Sequence, residues 1–508
     1  MTPLTLESIL TGTGAVLRGD IAPQTVFTRI ERNSRQVRPG DLFIAVRGER
    51  FDGHDFVGDA AAAGATAALV RREWADQHLD AGLPLLVVDE PVAALQRLAA
   101  WWRARLDQLL VVGITGSVGK TSTKETVASV LERAMPTYRS AGNLNSEIGL
   151  PLSLLEVTAE HGAAVLEMGG AYALGEIRLL AEIAQPKIGV VTNIHPVHLE
   201  RMGSIEAIAE TKAELVDAIP EDGWAVLNGD DARVRAMAER CRGSVLFYGL
   251  EPGNDVQATQ VESEGLEGTS FWLHIGEESN RVKVPLIGGH AVELALAAIA
   301  VGHATGMDLA DMLLGLAEPG VQVRLLIVPG PNGSQLIDDT YNASTPSVMS
   351  ALGLLEAMNP NRAIAVLGDM RELGDLSERE HVAVGRRAGE VADLVVSFGG
   401  LARTIAREAA TTNGRFDAGP PAVTSFGLEQ REELIAYLLR ELRQGDVALL
   451  KGSRGLEMEQ IVEQLRDETA RRQDGETPRG DEEAATRPAD SSERLEAGES
   501  GYRGADES

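Results

Sequence analysis

The sequence predicts an α/β protein of about three domains with an acidic C-terminal tail, on three observations. The chain has 508 residues, enough for about three domains of ordinary size. Short apolar runs alternate with glycine turns and helical patterns in two separate series, as in βα units laid on a parallel sheet. From about Asp467 large apolar residues almost vanish and acidic residues predominate.

Each part follows in order along the chain. Residues 1 to about 107 read as a small mixed unit that ends in a helical segment through Trp101 and Trp102. The first series has expected strands at 109–114, 163–168, 188–193 and 225–228, and the second at 335–339, 363–368, 394–398 and 447–451. Two such series mean two α/β domains. No repeat of fixed period is visible. The tail cannot bury enough apolar surface to offset its ordering entropy, so disorder is expected from Asp467 onward.

Composition narrows the function. A hydrophobic content of 44% supports real cores, while a net charge of −29 argues against nucleic acid or anionic membrane as the main partner. An acidic protein binds anions only through local groups, such as backbone amides and a few lysines or arginines. The single cysteine, Cys241, excludes an intramolecular disulfide framework and any cysteine-rich metal site, and points to a reducing compartment. The start, MTPLTLESILTGTG, lacks a basic segment followed by an apolar one, and no 18-residue apolar run occurs. The expectation is a cytoplasmic protein without membrane insertion, acting as a monomer.

The stretch LLVVGITGSVGKTSTKETVASVL (109–131) carries the first chemistry. It fails the strict G-x-x-x-x-G-K-[ST] pattern, because Ile114 stands five places before Gly119. Its context is nevertheless that of a phosphate site: a buried strand, a glycine turn, then a helix from about Lys120. Gly116 and Gly119 allow close backbone approach, Lys120 can neutralise phosphate charge, and the Thr121 hydroxyl can ligate Mg²⁺. Glu167 ends the next strand, in LEMGG, at the edge where open parallel sheets bind ligands. A carboxylate there suits a second Mg²⁺, although a strand-end surface acid is the plainer reading. His195, His198 and Lys212 follow another strand. By themselves they read as capping or packing histidines and a solvated helix lysine.

The loop at 115–121, TGSVGKT, is similar to that of the Mur ligases, whose glycine pattern is shorter than the usual Walker form. NSRQVRPGDLFIAVRGERFDGHDF, NLNSEIGLPLSLL, LEMG, NIHPVHLERMGSIEAIAETKAEL, IDDTYNASTPS, LGDMRELG and LLKGSRG follow in that family's order. The resemblance implies a UDP-sugar-binding N-terminal domain (1–107), a central P-loop parallel-sheet ATPase domain (108–318) and a C-terminal Rossmann-like α/β ligase domain (319–466), before the tail (467–508). DDTYNA and LGDMRELG resemble the branch that adds D-alanyl-D-alanine, and the DNPR motif of the diaminopimelate-adding branch is absent.

The resemblance also implies roles. Gly116, Ser117, Val118, Gly119, Lys120, Thr121 and Ser122 would hold ATP, with His290, Arg324 and Asp339 on the nucleotide. Thr121 would hold one Mg²⁺, and Glu167, His198 and a carbamylated Lys212 the other. Ser34 and Arg35 match the UDP-side Ser-Arg pair, and Asn145 and Ser146 lie in the loop of the family's asparagine run. Where the family often has two asparagines near adenine, this chain has Ala291 and Leu294. The expected reaction joins D-alanyl-D-alanine to UDP-N-acetylmuramoyl-tripeptide at the expense of ATP, through an acyl phosphate. The rivals are another amide ligase of the superfamily and a nucleotide-binding regulator without catalysis. The presence of Lys120, Glu167, His198 and Lys212 speaks against the second rival.

Overall fold

The computed structural model describes residues 4–48, 51–170, 173–197, 199–287, 290–318, 326–415 and 419–473. Three larger sheets organise them, beside a two-stranded pair of Leu4–Thr5 with Val26–Phe27. The N-terminal sheet runs in the order Val16–Arg18, Leu85–Val88, Ala67–Arg71, Asp41–Ile44, Arg29–Glu31, antiparallel at the first pair and parallel elsewhere. Its inner strands are short, continuously apolar and buried, as parallel strands covered on both faces must be. The helix Pro91–Arg103 closes this unit and docks it onto the next. Trp102 Nε1 donates to Val157 O and Arg103 Nε to Ala184 O, each at 2.9 Å. One apolar cluster, including Ile9, Leu98, Leu154 and Leu180, runs through both units.

The central sheet has nine strands, in the order Glu278–Val284, Thr269–Ile275, Val256–Ser263, Ser244–Gly249, Trp224–Asn228, Ile188–Val191, Leu110–Thr115, Ala163–Glu167, Thr137–Arg139. The C-terminal sheet has six, in the order Leu326–Pro329, Gln335–Asp338, Asp446–Lys451, Arg362–Gly368, Leu394–Phe398, Ala422–Phe426. All eight strands expected in the two series are present, with ends within two residues of expectation. Both sheets are mainly parallel, as expected, with antiparallel strands added at one edge of each. Val256–Ser263 pairs antiparallel with Thr269–Ile275, which pairs antiparallel with Glu278–Val284, and Leu326–Pro329 pairs antiparallel with Gln335–Asp338. The outermost strand of the central sheet is mostly exposed, so it has no continuous apolar run, and an antiparallel strand tolerates that one-sided burial.

Strand order places the sites. In the central sheet Leu110–Thr115 lies between Ile188–Val191 and Ala163–Glu167, so the turns after these strands open at one edge. In the C-terminal sheet Asp446–Lys451 is inserted between Gln335–Asp338 and Arg362–Gly368. That switch point opens a crevice beyond their carboxyl ends.

The last described helix, Glu459–Gln473, corrects the tail boundary. Helix continues past Asp467 because Leu465 is fully buried and Thr469 nearly so, and Thr469 Oγ1 donates to Leu465 O at 2.7 Å. The residues after Gln473 lie outside the described set. Truncation after Gln473 is therefore expected to leave kcat and KM unchanged, because it removes none of this packing. A large kinetic loss in that protein would show that the tail contributes to the enzyme. Among the described residues no helix is long and apolar enough to cross a membrane.

Candidate active site

The strand Leu110–Thr115 delivers the chain into a turn and then into the helix Lys120–Leu131. Gly116 has φ +142°, and a Cβ there would lie 2.0 Å from Thr192 Oγ1, so only glycine fits this crossing. The turn is tied to the neighbouring loop. Ser117 N donates to Asn193 O at 2.9 Å, Val118 N to Asn193 Oδ1 at 2.8 Å, and Thr192 Oγ1 to Val118 O at 2.8 Å. Ser117 Oγ also donates to His195 O at 3.1 Å. Asn193 thus engages the amides of Ser117 and Val118, and the anion-facing end of the loop is the helix N-terminus at Lys120, Thr121 and Ser122. Sequence reasoning missed Thr192 and Asn193 as braces of this loop, since nothing local marks a residue that braces a loop about 75 positions away.

Lys120 curls over the turn, its Nζ donating to Gly116 O at 2.8 Å and Ser117 O at 3.1 Å. Thr121 Oγ1 donates to Glu167 Oε2 at 2.5 Å, and Asn145 Nδ2 donates to Glu167 Oε1 at 2.7 Å. The buried Glu167 therefore joins the phosphate loop to the 142–148 loop. Ser146 Oγ accepts from Gly149 N at 3.2 Å, starting the helix Gly149–Leu154. Beneath them the fully buried Lys124 donates to Ser140 O and pairs with Glu125 at 2.9 Å, while Ser140 Oγ accepts from Glu167 N at 3.3 Å. Lys124 is a second residue the sequence reading passed over. Its place on the inward face of the helix was the available signal.

Lys212 lies on the helix Ile205–Asp217 and is 3% exposed, so it is not the solvated helix lysine of the plainer reading. Its Nζ donates to Gly170 O, three residues beyond Glu167. Burial first, and the Lys120 ammonium second, bring its pKa down to about 7. Among the described residues no three His, Cys, Asp or Glu side chains converge to hold a metal. The oxygens that do converge, Thr121 Oγ1 and the Glu167 carboxylate, are the hard donors Mg²⁺ accepts. Mg²⁺ commonly takes one or two protein oxygens and completes its shell with phosphate and water, and this donor set fits that habit.

Other expected residues are more dispersed. His290 Nδ1 lies 3.4 Å from Glu293 Oε2, and the Glu293 carboxylate raises its pKa against the opposing effects of burial and of Lys451. His195 is shifted down, chiefly by burial. Ala291 is buried, and Leu294 packs against the central core cluster. Asp339 pairs with Lys451 Nζ at 2.7 Å, at the crevice of the C-terminal sheet. Ser34 and Arg35 begin a short 3-10 turn in the N-terminal unit, where Asn33 Oδ1 accepts from Arg35 N at 3.2 Å and Arg35 is exposed. His198 and Arg324 lie outside the described residues.

Three family descriptions cover most of the chain: "Mur ligase family, catalytic domain" at residues 26–103, "Mur ligase middle domain" at 114–302 and "Mur ligase, glutamate ligase domain" at 323–454. A UDP-N-acetylmuramoyl-tripeptide–D-alanyl-D-alanine ligase of Bacillus subtilis is 37% identical, over 87% of this chain and 94% of its own. The Escherichia coli enzyme of the same name is 35% identical, over 89% and 97%. The crystal structure of MurF from Acinetobacter baumannii superposes with a TM-score of 0.80 at 34% identity, covering 92% of this chain and 99% of its own. MurF of Thermotoga maritima, solved in complex with ADP, gives a TM-score of 0.73 at 31% identity, over 87% and 98%. With matches of this extent in both sequence and fold, the chain belongs to the Mur ligase family of ATP-dependent ligases.

Proposed function

We propose that this protein joins D-alanyl-D-alanine to UDP-N-acetylmuramoyl-tripeptide, converting ATP to ADP and phosphate and completing the pentapeptide precursor of peptidoglycan. The observation that carries the reading is the union of Lys120, Thr121, Glu167 and Lys212 around one strand edge, in a chain similar over most of its length to ligases of that name. The chemistry requires such a site. A carboxylate is a poor acyl donor, because oxide is a poor leaving group. Transfer of the γ-phosphoryl group to the tripeptide carboxylate gives an acyl phosphate, which the dipeptide amine attacks. The C–N bond forms, the C–O bond to phosphate breaks, and the amine proton passes to a base.

Phosphoryl transfer depends mainly on positioning and charge neutralisation. Lys120 neutralises phosphate charge, and the helix N-terminus at Lys120–Leu131 orients it. Bound Mg²⁺ would add positive charge against the phosphate oxygens, held by Thr121 and, at a second ion, by Glu167 with His198. Lys212 would serve as a carbamate, whose oxygens replace a repelling ammonium at that second ion. Its burial and lowered pKa support this, since carbamate formation starts from the neutral amine. Ser34 and Arg35 would hold the UDP side, and Asp339 and Arg324 the nucleotide from the C-terminal domain. The test is a mass-spectrometric product assay offering D-alanyl-D-alanine against single amino acids. A product formed with single amino acids and not with the dipeptide would overturn the assignment.

Adenine selectivity is expected to be soft. A site that hydrogen-bonds a base rejects analogues because its own buried polar groups go unpaired. Ala291 and Leu294 offer no such groups, and their apolar side chains pack into the central domain. GTP and ITP should therefore support turnover at a measurable fraction of the ATP rate. Strict ATP preference in a steady-state assay would mean that backbone or another side chain reads the base.

A further inference from the structure

The phosphate loop accounts for the charge on ATP, but the acceptor named above brings a negative charge of its own, the carboxylate at the far end of the dipeptide. A cation not already committed to phosphate or to a protein carboxylate should meet it. The crevice of the C-terminal sheet holds three candidates. Lys451 is buried and paired with Asp339 at 2.7 Å. Arg454 stacks over Tyr341, with 5.3 Å from guanidinium carbon to ring centroid, and pairs with Glu459 at 3.0 Å. Arg371 is different: it is exposed, and its guanidinium pairs with no carboxylate among the described residues.

Arg371 is nonetheless held in place. It follows the strand Arg362–Gly368 at the switch point, and its amide donates to Ser453 Oγ at 2.8 Å. Its guanidinium lies over Gly455, where an added Cβ would come within 2.8 Å of Nη1. The same loop faces the central domain. Gly374 N donates to Glu200 Oε1 at 3.3 Å, and Glu372 pairs with Arg201 at 3.6 Å. Glu200 and Arg201 sit on the helix Leu199–Met202, a few residues beyond His195, whose backbone braces the phosphate loop. The Arg371 loop is thus anchored on the central domain, at the helix that follows the segment bracing the phosphate turn.

We propose that Arg371, seated over Gly455 with Arg454 next to it, binds the terminal carboxylate of the acceptor dipeptide and so directs its amine toward the acyl phosphate. The assignment rests on the function proposed above and names the residue that selects the acceptor. A guanidinium suits this role because its planar fork can donate two parallel hydrogen bonds to a carboxylate.

The test is initial-rate kinetics with D-alanyl-D-alanine and with its C-terminal amide, on wild type, Arg371→Gln and Gly455→Ala. Wild type should prefer the acid. Arg371→Gln should raise KM for the acid by about tenfold or more, the scale of a lost charge-assisted hydrogen bond, and should treat acid and amide nearly alike. Its KM values for ATP and the UDP-tripeptide should stay at the wild-type level, which a general structural defect would not allow. Gly455→Ala keeps the charge but displaces the guanidinium, and should move the acid KM in the same direction. If wild type ligates the dipeptide while Arg371→Gln still distinguishes acid from amide as wild type does, the proposal falls alone. If wild type ligates no dipeptide, the functional reading falls and this proposal with it.

Discussion

Lys120→Ala is expected to lose about a hundredfold or more in kcat while the protein stays folded, the scale seen when one preorganised charge-stabilising donor is removed. Lys120 Nζ donates to two backbone oxygens of its own turn, Gly116 O and Ser117 O. The turn is held chiefly by Thr192 and Asn193, so its shape should survive the substitution while phosphate charge goes uncompensated. Phosphate release in the presence of both acceptor substrates measures the loss, and thermal unfolding checks the fold. Near-normal turnover in a folded variant would remove Lys120 from the mechanism. A second effect follows from proximity. The Lys120 ammonium contributes to the depressed pKa of Lys212, so the variant should titrate Lys212 at higher pH.

Lys212→Ala is expected to cost roughly 10- to 100-fold in activity or metal affinity, as loss of a group that orders a metal site does. The loss should be partly reversed by short carboxylic acids that fill the vacated space. In wild type the lysine pKa, down to about 7, should set the pH dependence of the proposed carbamate. Above about pH 7 the amine is neutral and can take up CO₂. As pH falls through 7 it protonates, and the proposed carbamate should be lost. A ¹³C signal from protein equilibrated with labelled bicarbonate should therefore rise with pH through neutrality and be absent in Lys212→Ala. Full activity in wild type stripped of CO₂, with no such signal at pH 8, would return Lys212 to an unmodified amine.

Much of this was legible because it is local. A buried strand followed by Gly-Lys-Thr and a helical pattern marks the phosphate turn from consecutive residues, and the eight strands of the two series announce themselves as short apolar runs of both-sides-buried sheet. The strand-end position of Glu167 was readable for the same reason. Other features arise only from contacts between distant parts of the chain. The 256–284 strands pair antiparallel with one another, and their place depends on the parallel pairing of Val256–Ser263 with the sheet they join. Asn193 braces Val118, and Lys212 reaches Gly170, because strand order brings their loops to one edge. A solvated and a buried lysine look the same in sequence. Helix packing against the sheet removed Lys212 from water and lowered its pKa, since burial disfavours the charged amine. The sequence by itself determined the family, the phosphate turn and the eight strands of the two series through local pattern. The tertiary structure alone decided which side chains meet, which of them lose water, and where Arg371 stands over Gly455, because burial and charge are properties of neighbours that only folding supplies.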